Sequence, residues 1–308
     1  MRRVVVKVGT SILTTNTNRL DTSYMEELTE EIAALRRDNR QVALVTSGAI
    51  AAGMKILGLN RRPGDLPTLQ AAAAVGQSNL MRTYERLFRE QGFTVGQILL
   101  TADIVLKPER FQNARNTFHS LFSFGVIPII NENDAVAVEE IRFGVRFGDN
   151  DTLSALVAKL VDADLLIILS DVDGFLSKGK VVPEISAISP SLMAEAGGSK
   201  SEKTRGGMTT KLEAARTVTR EGKPVIIANG RHKKILTRIL AGEETGTIFL
   251  PAFARRSFSG GELNKTTRAS ADKARQGIPE ISRHSELRRT SQPQPLRCER
   301  LTKTGVKR

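Results

Sequence analysis

The chain has one cysteine, Cys298, among 308 residues. No disulfide can close within it, which fits a reducing cytoplasm. Its three histidines, His119, His232 and His284, lie far apart, and with a lone cysteine they make no zinc-type ligand set. His119 is expected packed or exposed on a helix and His232 on the surface, neither of them catalytic. Long apolar runs are missing too: none approaches the roughly 20 residues that a membrane-spanning helix needs. The opening MRRVVVKVGTS follows its three valines with a lysine and does not read as a signal peptide. A soluble cytoplasmic protein, with no membrane partner, is the expectation.

Acidic residues are outnumbered, 33 Asp and Glu against 46 Lys and Arg, for a net charge of +13. An excess of that size suggests nucleic acid, but its distribution argues otherwise. Residues 255–308 hold 14 Lys or Arg and 5 Asp or Glu, whereas the 254 residues before them hold 32 and 28. Most of the excess is therefore in the tail. That tail is rich in Ser, Thr, Arg and Pro and lacks a sustained apolar period, so it is expected to be disordered. It has one aromatic, Phe258, which gives base stacking little support. Binding of phosphate backbones through the tail stays as an alternative reading, not the principal one.

What is present, through residue 254, is alternation. At 40% hydrophobic the chain can build a sizeable core. RVVVKVG, QVALVTSG, FTVGQILLT, VIPIINEND, DLLIILSDVDG, KPVIIANG and GTIFLP read as strands. DTSYMEELTEEIAALRRDN, AIAAGMKILGL, TLQAAAAVGQSNLMRTYERLFREQG, ARNTFHSLFSFG, DTLSALVAKLVDA, KLEAARTVTREG and KKILTRILAG read as helices between them. Ser23 and Glu26 have capping-box spacing at the start of the first helix, and the Ala-rich half of the third permits close packing. Strands alternating with helices give an α/β fold, a mainly parallel sheet sandwiched between helices. The expected organisation is a domain over 1–254 and a basic tail over 255–308.

In such sheets ligands gather at the carboxyl ends of the strands. There the sequence has Lys7, Gly9, Thr10 and Ser11; Thr46, Ser47 and Gly48; Asn131, Glu132, Asn133 and Asp134; and Ser170, Asp171, Asp173 and Gly174. Asp149, Asn150 and Asp151 open the helix DTLSALVAKL. One N-cap would serve that helix start, and three polar residues after a glycine exceed the need. TRGGMTTKLEAA, residues 204–215, adds two glycines, two threonines and Lys211 at a helix start. That arrangement can hold phosphate through free N–H groups and a lysine, though it is not a Walker P-loop.

KVGTS, TSGAI, NARNT, PIINENDAV, FGDNDTLSA, LSDVDG and RGGMTTKLEAA occur in this order, and together they resemble the amino acid kinase family over roughly residues 1–252. PIINENDAV and FGDNDTLSA resemble in particular the members that phosphorylate the side-chain carboxylate of L-glutamate with ATP, the first step of proline synthesis. The resemblance implies an amino acid kinase-like fold, ATP with Mg2+ that no protein side chain ligates, and catalysis by Lys7 and Lys211 held in place by Asp151. It implies Ser47, Asp134 and Asn150 on the glutamate side, with Asp134 as partner of the α-ammonium. On the nucleotide side it implies Lys7, Gly9, Ser170, Asp171, Arg205, Gly206, Gly207, Met208, Thr209, Thr210 and Lys211. Asp149 is left as the helix cap. It further implies a homo-oligomer, dimer or tetramer, and hand-over of the product to a glutamyl phosphate reductase.

Two departures from the family stand out. Many members carry a C-terminal PUA domain, whereas the tail here is short and irregular. The stretch FLSKGKVVPEI after Gly174 is also short, which bears on nucleotide preference. The nearest alternative is a family member with a different acid substrate.

Overall fold

A computed structural model describes residues 1–15, 17, 19–105, 107–136, 150–197 and 207–251. Asp149, Arg205, Gly206 and the 255–308 tail lie outside the described residues, so the expectations for them do too.

In chain order the elements are β1 (Arg3–Val8), α1 (Thr10–Leu13), α2 (Thr22–Arg37), β2 (Gln41–Val45), α3 (Ala49–Ile56), α4 (Leu66–Glu90), β3 (Val95–Leu100), α5 (Pro108–Ser123), β4 (Ile127–Glu132), α6 (Asn150–Leu160) and β5 (Leu165–Ser170). There follow β6 (Leu176–Ser177), β7 (Lys180–Val181), β8 (Glu184–Ile185), α7 (Pro190–Gly197), α8 (Met208–Arg220), β9 (Val225–Asn229), α9 (Ile235–Leu240) and β10 (Thr247–Phe249). Among the described residues, eight strands form one sheet in the order β3-β4-β2-β1-β5-β9-β10-β8. Pairing is parallel from β3 through to β9. β10 runs antiparallel to β9, and β8 runs alongside β10.

The sheet has helices on both faces, and period-two alternation in β1 sorts its side chains between two cores. Val4, Val6 and Val8 enter a core with residues of α2, α4 and α9, such as Leu28, Leu80 and Leu236. Val5 enters the other with residues of α5, α6 and α8, such as Phe118, Val157 and Leu212. Lys7 shares Val5's parity, so β1 directs it toward the α6 and α8 side. Each fully buried aliphatic side chain contributes about 1.5–3 kcal/mol. The valines of β1 are all fully buried, so the strand that carries Lys7 is held firmly.

Several boundaries differ from the sequence reading, each for a local reason. The cap of α2 is Asp21, whose carboxylate accepts the Tyr24 N–H at 3.1 Å; the Ser23–Glu26 box lies inside the helix. α5 begins at Pro108, earlier than expected, because proline's fixed φ suits a first helical turn. Residues 175–197 carry β6, β7, β8 and α7, which the reading left unassigned.

The junction of α3 and α4 is unusually close. A Cβ added at Gly53 would lie 1.7 Å from the Ala72 carbonyl oxygen, and one at Gly76 would lie 1.8 Å from the Ala49 carbonyl oxygen. The helices therefore touch backbone to backbone, with Ala49, Ala52, Ala72 and Ala73 buried around the crossing. Because α3 starts just after Ser47 and Gly48, this crossing sets where that strand end sits. No helix among the described residues is long and apolar enough to cross a membrane.

Candidate active site

Three elements meet at one buried carboxylate. Asp151 is the second residue of α6 and has no exposure to solvent. Its Oδ1 lies 2.6 Å from Nζ of Lys7 at the end of β1. Its Oδ2 accepts from Nζ of Lys211, in the first turn of α8, at 3.1 Å, and from the Thr210 hydroxyl at 2.9 Å. Lys7 and Lys211 are 4% and 5% exposed, so both ammonium groups are largely withdrawn from water. Burial by itself would push the Asp151 carboxyl up. The two ammonium groups outweigh that effect and hold it below the usual carboxylate range. The amino ends of two helices add positive potential on the same side. Thr210 also lies 2.8 Å from the Gly207 carbonyl oxygen, and the Ser154 hydroxyl donates to the Asp151 backbone oxygen at 2.6 Å.

A glycine keeps the space beside this pair open. A Cβ at Gly9 would stand in contact with Lys7 Nζ at 3.6 Å and the Ser11 hydroxyl at 3.9 Å, so glycine leaves that volume beside the ammonium empty.

A second cluster adjoins the first through the α6 start. Nδ2 of Asn150 lies 2.6 Å from the Thr46 carbonyl oxygen, 2.8 Å from the Ser47 hydroxyl and 3.0 Å from Oδ1 of Asn131. Nδ2 of Asn131 donates to Oε1 of Gln77 on α4 at 2.8 Å. The Thr46 hydroxyl pairs with the Tyr84 hydroxyl at 2.8 Å. Asp134 is half-buried and lines a cleft of about 300 Å³ together with Gln77, Asn133 and Ala49.

The structure thus brings Lys7, Asp151, Thr210 and Lys211 into one cluster and Ser47 with Asn150 into another, with Asp134 on the wall of the nearby cleft. Ser170 ends β5 nearly buried, its hydroxyl donating to Asp171 at 3.1 Å. Gly207 precedes α8 as its N-cap, and Met208 and Thr209 are half-buried in the first turn. His119 is exposed on α5, and His232 is exposed with Nε2 3.3 Å from Asp173. Sequence reasoning missed Asn131, Thr46 and Gln77 as the support of Asn150. Thr210, expected on the nucleotide side, also reaches Asp151 with its hydroxyl, a contact the sequence reading did not include. Thr46 and Asn131 were noted at their strand ends without that role, and Gln77 was not noted at all.

A mainly parallel sheet between two layers of helices defines a fold class, and comparison with known proteins supplies its family. The amino acid kinase family model matches residues 2–229. The chain belongs to the amino acid kinase family. A glutamate 5-kinase of Moorella thermoacetica is 49% identical over 257 residues, 81% of this chain and 67% of that protein. The glutamate 5-kinase of Geobacter sulfurreducens is 46% identical over 82% of this chain and 68% of its own. That of Methylococcus capsulatus is 46% identical over 85% and 72%. In fold, the chain is similar to the UMP kinase from Bacillus anthracis, with a TM-score of 0.53, 16% identity, and coverage of 81% of this chain and 96% of that one.

Proposed function

We propose that the protein transfers the γ-phosphoryl group of ATP to the side-chain carboxylate of L-glutamate, giving L-glutamyl 5-phosphate for proline synthesis. The observation that carries this reading is the pair of buried lysines, Lys7 and Lys211, clamped on opposite oxygens of Asp151. The similarity to glutamate 5-kinases supports the choice of acid.

The chemistry asks for this arrangement. A carboxylate oxygen attacks phosphorus, one O–P bond forms, and the bond to the ADP oxygen breaks. Glutamate's side chain is ionised at neutral pH, so no proton has to be removed. The obstacle is repulsion between anions, and it is met by positioned positive charge rather than by a base. Lys7 and Lys211 supply that charge. Asp151 fixes where their ammonium groups stand, and burial strengthens their field. Asp151 is already engaged by Lys7, Lys211 and Thr210. This donor set suits a divalent ion that rides on the nucleotide's phosphates rather than on the protein. Mg2+ bound there supplies further neutralisation of phosphate charge. Gly9 and the α8 start, Gly207 to Lys211, form the side on which the triphosphate lies. Ser47, Asn150 and Asp134 form the amino acid side.

The test is ATP-dependent trapping of the acyl phosphate by hydroxylamine, with L-glutamate, L-aspartate and N-acetyl-L-glutamate compared. Hydroxamate from glutamate alone is expected. Lys211→Ala is expected to lower kcat by about 100-fold or more, the usual effect of removing a group that stabilises transition-state charge. Hydroxamate from another acid would keep the family and replace the substrate.

A further inference from the structure

Gln77 sits inside α4, away from the strand ends and helix starts that hold the other site residues, and it is 9% exposed. Its Oε1 accepts from Asn131, whose Oδ1 in turn accepts from Asn150. Three amides thus form a chain from the cleft wall to the amino acid side of the site. Amide oxygens and nitrogens are assigned by their partners, and here the backbone settles the assignment. The Thr46 carbonyl can only accept, so Asn150 turns Nδ2 toward it at 2.6 Å. The Glu132 N–H can only donate, so Asn131 turns Oδ1 toward it at 2.9 Å. Asn131 Nδ2 then faces Gln77, which must present oxygen. Nε2 of Gln77 is left buried with no hydrogen-bond partner. An orphaned buried donor is costly. The polarity of the chain imposes it, since turning Gln77 over would set its N–H against the N–H of Asn131.

We propose that Gln77 is a positioning residue for the amino acid substrate. Acting through Asn131, it locks Asn150 with its two N–H donors turned into the protein and its carbonyl oxygen toward the site. Asn150 then offers an acceptor, which suits an ammonium group and not a carboxylate. The inference rests on the reading of Asn150 as a substrate-side residue.

Gln77→Met keeps side-chain length and removes the acceptor; Gln77→Glu keeps an acceptor and removes the orphaned donor. Under the hydroxamate assay Gln77→Met is expected to raise KM for glutamate roughly five- to ten-fold, the worth of about one net hydrogen bond, with KM for ATP unchanged. In an Asn150→Ala background the same change is expected to alter KM for glutamate less than two-fold, because residues that act in one chain are not additive. Equal effects in both backgrounds, or an unchanged KM in the native chain, would overturn the proposal. A second readout does not need activity: side-chain amide exchange of asparagine-labelled protein, with Asn150 assigned by its absence in Asn150→Ala. Slow exchange at Asn150 that becomes fast in Gln77→Met and stays slow in Gln77→Glu upholds the chain of amides. Exchange at Asn150 indifferent to Gln77→Met overturns it. Wild-type protein that phosphorylates no glutamate yet shows this exchange pattern would sink the substrate reading alone.

Discussion

Asp151 keeps its charge with no solvent exposure because two ammonium groups and a hydroxyl surround it. Removing that charge strands two lysines in the same buried space. Asp151→Asn is therefore expected to cost about 3 kcal/mol at pH 7, as for other buried pairs that lose one member, and to lower activity by misplacing both ammonium groups. The sign with pH follows from the depressed carboxyl. Its stabilisation is present above the unfolded carboxyl's value, near 3.9, and is lost as pH falls through and below that range. Urea unfolding of wild type and Asp151→Asn should differ at pH 7 and converge as the pH drops below about 4. A constant gap would show that the loss comes from packing instead. At this scale the sequence was informative where chemistry is local. Lys7, two positions before a glycine at a strand end, and Lys211, at a helix start after two glycines, stand out through their neighbours, although their roles came from the family resemblance. Gln77 does not. Within AAAAVGQSNL it resembles any polar residue on a helix, and its partner Asn131 lies 54 positions away in sequence.

Glycine inside a helix usually weakens it by about 1 kcal/mol relative to alanine. At Gly53 and Gly76 the sign reverses, since the facing carbonyl occupies the space a methyl group would need. Gly76→Ala should push α3 from α4, destabilise the protein by several kcal/mol as overpacking does, and raise KM for glutamate by displacing Ser47 just ahead of α3. A melting temperature equal to wild type would refute the contact. The Ala-rich run in α4 did signal close packing, because small residues leave that trace in composition. Elements of two residues leave none: β6, β7 and β8 fall below any periodicity. β8 is legible only through its pairing with β10, more than 60 residues on. The cap of α2 was misjudged for a related reason. Asp21 and Ser23 both have capping chemistry, and only the backbone path decides which oxygen reaches Tyr24.

For the whole molecule, the fold class was readable because the alternation of strand and helix extends over the described residues, and burial on both faces leaves the central strands β1, β2 and β5 rich in apolar residues. Strand order was not readable from that pattern, nor was the reversal of direction at β10. That order bears on how the protein comes into being. β1, which leaves the ribosome before the other strands of this sheet, lies in its interior between β2 and β5, with Val4 paired to Val42 on one side and Leu165 on the other. At roughly 5–20 residues per second, β5 arrives about 8–30 s after β1. Until then one edge of a strand with four buried valines stays open, and Lys7 is waiting for Asp151, which arrives only shortly before β5. A chain stopped at residue 163 should therefore sediment as aggregate where one stopped at residue 251 stays in solution; equal solubility would contradict the order. Nascent chains of intermediate length are the form in which this protein most needs a chaperone.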